Sequence, residues 1–164
     1  MMKYCPQCAH ELTDRMIDGV QRKACDALRC GYVFWDNPVP VVAAVVEYHD
    51  QILLARNAQW PIGVFSMITG YLDCNETPQQ AVLREVGEEL GLNGQIKDLI
   101  GHYPFFNKNQ LIIAYAVSAT GSIQLNHEIA EVKLVDKASL HPGQFGKLQV
   151  TAKVFEDWLK IEGR

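Results

Sequence analysis

The chain has 164 residues, 48% of them hydrophobic, and a formal net charge of −4, with a pI of about 5.7. That gives room for one domain of ordinary size plus a small accessory module, with enough apolar residues for a core. The acidic balance argues against a long nucleic-acid groove, and the longest apolar run, residues 39–46 with one proline, is far too short to cross a bilayer.

The first feature along the chain is a set of paired thiols. Cys5-Pro6-Gln7-Cys8 is followed after 16 residues by Cys25, and after four more by Cys30. Two thiol pairs on two turns are the spacing of a small β zinc ribbon, in which four thiolates hold a structural Zn²⁺ in a closed tetrahedron. Gly31 resembles the glycine that follows a ribbon knuckle. His10 or Asp26 is an alternative fourth ligand, although four cysteines is the simpler set. Disulfide pairing is the rival use of these thiols and requires an oxidising compartment. Residues 1–30 contain no apolar stretch of the export-signal type, so the expected compartment is cytoplasmic and the expected partner of the thiols is zinc. Residues 1–36 carry five Lys or Arg against five Asp or Glu, which leaves no basic footprint for nucleic acid. A segment of about 35 residues is too small to build its own core, and a metal staple is the usual remedy. We therefore expect a ribbon over residues 1–36, a linker at Asp36-Asn37-Pro38, and a second domain over residues 37–160.

Residues 41–48 read as a buried strand, with 51–56 as its hairpin partner across His49-Asp50. Arg56 reads as a surface arginine at a strand end, with phosphate contact as the alternative. Trp60 and Phe65 read as core. Residues 65–69 should form a strand delivering Gly70. A helix of roughly 13 residues follows, with Thr77 as N-cap, Pro78 at its first position, Gln80 completing a capping box, and Gly91 as its stop. Val82, Val86 and Leu90 supply an apolar stripe. Glu85, Glu88 and Glu89 lie three and four residues apart and share one neighbourhood, where like charges destabilise a helix by about 0.2–0.5 kcal/mol per pair. A divalent cation reverses that sign, and an all-oxygen set points to Mg²⁺ or Mn²⁺. Cys74 reads as a bystander. Beyond the helix, residues 95–106 and 111–119 read as two long strands joined by a turn at 107–110. Residues 131–135 read as a short strand and 147–159 as a helix, with Leu148, Ala152, Phe155 and Leu159 apolar. Strands mixed with two helices give an α/β layered sandwich.

The order Gly70, five residues, Glu76, seven residues, Arg84-Glu85-Val86-Gly87-Glu88-Glu89-Leu90-Gly91-Leu92 resembles, position for position, the signature of the Nudix hydrolases. These enzymes cleave nucleoside diphosphates linked to another moiety. The resemblance implies an α/β/α sandwich with a mixed sheet. It also implies that Gly70 offers its backbone carbonyl to a metal and that Glu85, Glu88 and Glu89 coordinate Mg²⁺, one of them orienting or deprotonating the attacking water. Arg84 and Glu76 look like the internal ion pair that holds the loop against the helix. Related enzymes place a further glutamate in the loop before the last strand, where Glu128 matches best and Glu131 lies nearby.

A ribbon, then Asn37-Pro38, then this domain looks like the NADH pyrophosphatase-type branch, together with plant-like FAD and ADP-ribose hydrolases, over nearly the whole chain. NADH-cleaving members carry Ser-Gln-Pro-Trp-Pro-Phe-Pro followed by Leu-Met. Here the corresponding stretch is Gly101-His102-Tyr103-Pro104-Phe105-Phe106, with Leu111-Ile112 farther on, so the NADH signature is incomplete. Tyr103, Phe105 and Phe106 are the candidates to stack on a base, Tyr103 and Phe105 on one strand face and Phe106 on the other. The implied activity is a Mg²⁺- or Mn²⁺-dependent pyrophosphohydrolase of a small dinucleotide or nucleotide-sugar-type substrate, with no membrane partner and no nucleic-acid partner expected. The branch contains homodimers. The alternatives are a nucleotide sensor that keeps the pocket, and a hydrolase of NAD caps on RNA.

Overall fold

The computed structural model describes residues 2–163 and divides the chain into two compact units, Met1–Asn37 and Pro38–Arg164. In the first, β1 (Leu12–Ile17), β2 (Val20–Cys25) and β3 (Val33–Phe34) form an antiparallel three-stranded sheet. Its buried hydrophobic residues are Cys5, Leu12, Ala24 and Cys25.

The second unit is built on a six-stranded mixed sheet. Its strands are β4 (Val39–Tyr48), β5 (Gln51–Asn57), β6 (Ile68–Tyr71), β7 (Asn93–Phe105), β8 (Gln110–Thr120) and β9 (Ile129–Asp136). The order is β7-β8-β4-β5-β9, with β4 and β8 parallel and the other pairs antiparallel. Helix α1 (Pro78–Leu90) covers one face and α2 (Gln149–Ile161) the other. The period of two along β4 sorts its side chains between these layers. Val42, Ala44 and Val46 pack with Val82, Val86 and Leu90 of α1. Val41, Ala43 and Val45 pack with Val154, Phe155 and Trp158 of α2. This is the α/β/α sandwich expected from the sequence.

One edge of β4 is shared. Residues Val46–Tyr48 pair with β5, whereas Val41–Ala44 pair with β6, so the two partners fork apart. Ser66 bridges back to Ala55 of β5 through hydrogen bonds of 2.8 and 2.9 Å. The strand expected at 65–69 therefore starts at Ile68 and runs through Gly70, because the residues before it belong to that bridge. In β7, irregularities fall between Ile96 and Asp98 and between Leu99 and Gly101. The expected turn at 107–110 is a short 3-10 turn over Phe106–Lys108, closed by left-handed Asn109. Helix α2 begins two residues later than the sequence suggests. No helix among the described residues is long and apolar enough to cross a membrane.

Candidate active site

Helix α1 places the acidic cluster, and its ends are fixed by local chemistry. Thr77 Oγ1 accepts from the Gln80 N–H at 3.2 Å, and Gln80 Oε1 accepts from the Thr77 N–H at 2.8 Å, which closes the capping box. Gly91 adopts the left-handed conformation (φ 68°), where its N–H reaches the Gly87 carbonyl. A Cβ there would also lie 2.9 Å from Gln124 Cβ, so the position needs glycine twice over.

Arg84 is the hub of the site. Its Nε and Nη2 grip both oxygens of Glu76 at 3.1 and 2.8 Å, a bidentate pair. Nη2 also donates to the Tyr71 carbonyl at 3.1 Å, tying α1 to the end of β6. Nη1 reaches Glu85 at 2.8 Å and Glu88 at 3.1 Å. Glu76 in turn accepts the Asp73 N–H at 2.7 Å, which folds the loop onto the helix. The Arg84 hydrogen bonds hold the Glu76 carboxyl below its ordinary range, and they hold the Arg84 guanidinium firmly protonated. The pair read from the sequence is thus present, and the same arginine also orients two of the three cluster glutamates.

Gly70 lies on β6 directly under Glu85. A Cβ added to it would fall 1.9 Å from the Glu85 carboxyl carbon, so the absence of a side chain creates the space the carboxylate occupies. Burial raises the Glu85 carboxyl in spite of Arg84. Glu89 is 5% exposed. Burial first, then the charges of Glu85, Glu128 and Glu88, push its carboxyl up to about 8. Among the described residues no cation pairs with Glu89. Glu85 and Glu89, raised by burial and by neighbouring carboxylates, are oxygen donors of the type a hard divalent cation satisfies.

The loop bearing Glu128 is fixed through its backbone. The Gln124 N–H donates to the Leu90 carbonyl at 2.8 Å and the Asn126 N–H to the Glu89 carbonyl at 3.3 Å. Asn126 Oδ1 accepts the Glu128 N–H at 2.9 Å, and the Glu128 carbonyl accepts the Ala58 N–H at 2.7 Å. Gly70, Asp73, Arg84, Glu85, Glu88 and Glu128 then line one basin of about 360 Å³. Glu89 and Glu128 line a smaller recess behind it. His127 stays exposed outside both.

A second cavity of about 370 Å³ adjoins the basin and shares Val41, Thr69, Lys108 and Gln110 with it. Met67 and Ile112 form part of its apolar wall, and Trp60, Phe105 and Phe106 all line it. Phe106 is 86% exposed. Tyr103, the third aromatic singled out from the sequence, does not line this cavity. It is buried against α2, where its O–H donates to Asp157 at 3.1 Å. Arg56 is also engaged, by Glu131 and the Trp60 carbonyl, and so holds the loop that carries Trp60. Trp60 lines the cavity and lies outside the buried core. Asp73, Asn126 and Lys108 escaped the sequence reading because loop residues carry no periodicity to mark them.

In the first unit the four sulfurs of Cys5, Cys8, Cys25 and Cys30 all lie within 4.8 Å of one another. The closest pairs stand 3.5–3.6 Å apart. A tetrahedral Zn–S₄ centre with bonds near 2.3 Å requires about 3.8 Å between sulfurs, so the donor set fits zinc. Burial opposes ionisation of Cys5, but the N–H groups of Gln7 and Cys8 and the neighbouring thiols bring it down to about 7. Gly31 is left-handed (φ 68°), as a knuckle glycine should be. His10 pairs with Asp26 at 3.0 Å and neither joins the sulfur cluster.

Residues 37–158 match the NUDIX domain. An NAD-capped RNA hydrolase NudC from Vibrio atlanticus is 27% identical over 85% of this chain and 51% of its own length. The mouse mitochondrial NAD(P)H pyrophosphatase NUDT13 is 29% identical over 62% of this chain and 29% of its own. An ADP-ribose pyrophosphatase from Methanocaldococcus jannaschii is 36% identical over 44% of this chain and 43% of its own. The chain thus spans about half or less of the length of these curated relatives. The crystal structure of a NUDIX hydrolase from Nitrosomonas europaea superposes with a TM-score of 0.84 over 99% of this chain and 93% of that one, at 23% identity, a likeness of fold. With the NUDIX domain matched over most of its length and the Arg84-centred glutamate cluster in place, this chain belongs to the Nudix hydrolases.

Proposed function

We propose that the protein is a Mg²⁺- or Mn²⁺-dependent pyrophosphohydrolase that splits the diphosphate bridge of a small dinucleotide or nucleotide-sugar-type substrate. The observation that carries this reading is the juxtaposition of a carboxylate-lined basin with an apolar, aromatic-lined cavity. The first suits a metal-bound diphosphate and the second a nucleoside. The relatives' substrates, NAD(P)H, NAD-capped RNA and ADP-ribose, share a diphosphate bridge joined to adenosine.

Glu85, Glu88, Glu89 and the Gly70 carbonyl would hold the metal, which when bound neutralises the bridging phosphates and acidifies water. Arg84 fixes Glu85 and Glu88 in place and keeps Glu76 and the loop on α1. Glu128 lines both the basin and the recess under Glu89, and we assign it the proton of the attacking water. Water adds to one phosphorus, the bridging P–O bond breaks in line, and the second phosphate leaves as a monophosphate. Phe105, Phe106 and Trp60 hold the nucleoside, whereas Tyr103 serves the core. The ribbon carries a structural Zn²⁺ in a cytoplasmic protein.

The test is a substrate panel with Mg²⁺ or Mn²⁺, containing NADH, NAD, FAD, ADP-ribose and nucleoside triphosphates, with products separated by chromatography. We expect AMP and a second monophosphate from at least one dinucleotide. Absence of turnover on every diphosphate-bridged compound, with the protein folded, would sink the reading.

A further inference from the structure

The cavity beside the basin differs from it in charge, and that difference narrows the substrate. The basin is lined by Asp73, Glu85, Glu88 and Glu128. The cavity is lined by no carboxylate and by two lysines, Lys108 and Lys147. These two are unusual in the second unit. Nine Lys and Arg lie among residues 38–163. Six of them, Arg56, Arg84, Lys97, Lys137, Lys153 and Lys160, are held in ion pairs. Among the described residues of this unit Lys108, Lys133 and Lys147 have no acidic partner, and two of these three line this one cavity.

Their positions divide the work. Lys108 borders both basin and cavity, within reach of the diphosphate. Lys147 lines only the cavity, beside the start of α2, so it meets a part of the ligand beyond the diphosphate. A third observation lies in the same wall. Ser66 and Thr151, 3% and 6% exposed, share one hydrogen bond of 2.8 Å. Two hydroxyls carry two protons, so one buried O–H donor remains for a ligand acceptor, and both residues line the cavity.

We propose that this cavity takes a nucleoside carrying a phosphate monoester of its own, and that Lys147 is the residue that selects it. The substrate class becomes a dinucleotide phosphorylated away from its diphosphate bridge, with Lys147 pairing the extra phosphate and the Ser66–Thr151 pair donating to the same ligand. This rests on the pyrophosphohydrolase reading above and specifies its substrate.

The experiment compares kcat/KM for NADPH and NADH, and for NADP and NAD, in the full chain, in Lys147→Ala and in Lys133→Ala. A charge-assisted contact predicts a preference of about tenfold for the phosphorylated member in the parent protein. That ratio should shrink as salt rises, fall to near one in Lys147→Ala, and persist in Lys133→Ala. A ratio of one in the parent, or a preference untouched by Lys147→Ala, overturns the assignment while leaving the hydrolase reading intact. A stronger preference for NAD-capped RNA than for NADPH overturns it in favour of an RNA phosphodiester. Hydrolysis of none of these compounds overturns the assignment together with the activity it rests on.

Discussion

Glu88 and Gly70 mark two ways of losing the same site. Glu88 is the most exposed of the three box glutamates, its side chain 58% accessible, and its contact is the 3.1 Å bond to Arg84. Glu88→Gln removes a charge and leaves shape and packing alone, so the fold should keep its stability. Turnover should fall by about a hundredfold or more, the scale on which groups that position or move a proton act. Gly70 is not in a left-handed conformation, so a side chain there meets no backbone strain. It meets the Glu85 carboxyl instead, 1.9 Å away. Gly70→Ala should therefore displace Glu85 and weaken Mg²⁺ binding without unfolding β6. Thermal unfolding measured beside metal titration and turnover checks both variants. Near-parental turnover in Glu88→Gln would mean that the metal is held elsewhere.

At the scale of elements, the buried charge on β4 is a case in which two competing surroundings decide a pKa. Glu47 is 8% exposed and accepts from Lys137 at 2.5 Å and Lys97 at 3.2 Å, linking β4 to β7 and to the segment after β9. Burial raises its carboxyl, but the two lysines prevail and hold it below its ordinary range. A carboxyl depressed in the folded state stabilises above the unfolded value and loses that contribution as pH falls through the folded one. Glu47→Gln should therefore cost about 2 kcal/mol at neutral pH, with the gap from the parent closing as denaturation is followed from pH 5 downward. A gap independent of pH would make the loss one of packing. What the sequence discloses at this scale depends on how local the cause is. Helix α1 was legible to the residue because its cap, its stripe and its stop all lie within residues 77–91. The fork of β5 and β6 on one edge of β4 was not, because it depends on a strand edge distant in sequence and on the Ser66–Ala55 bridge. The cavity was equally hidden: Ser66, Phe105, Lys108 and Lys147 meet only once the sheet and α2 are assembled. Tyr103 looked like a ligand contact because aromatic type carries no sign of which layer it enters.

For the whole molecule, the two units hold themselves together by different means. The second has two layers of core on either side of its sheet, so burial of apolar surface can maintain it. The first has Cys5, Leu12, Ala24 and Cys25 as its buried hydrophobics, and two of these four are thiols of the cluster. Zinc-bound, that cluster would supply the folding free energy that so small a core lacks, since structural zinc contributes about 10–16 kcal/mol in small domains. Withdrawing zinc with a chelator, then restoring Mg²⁺, should leave a molecule half altered. Amides of β1 and β2 should exchange within the dead time, while those of β4, β5 and β8 keep their protection and the diphosphate is still cleaved. Hydrogen exchange followed by mass spectrometry, with turnover assayed on the same sample, separates the cases. Protection lost from β4 and β8 as well would show that the ribbon is part of one cooperative fold. Unchanged protection in β1 and β2 would show that the thiols hold no metal on which folding depends.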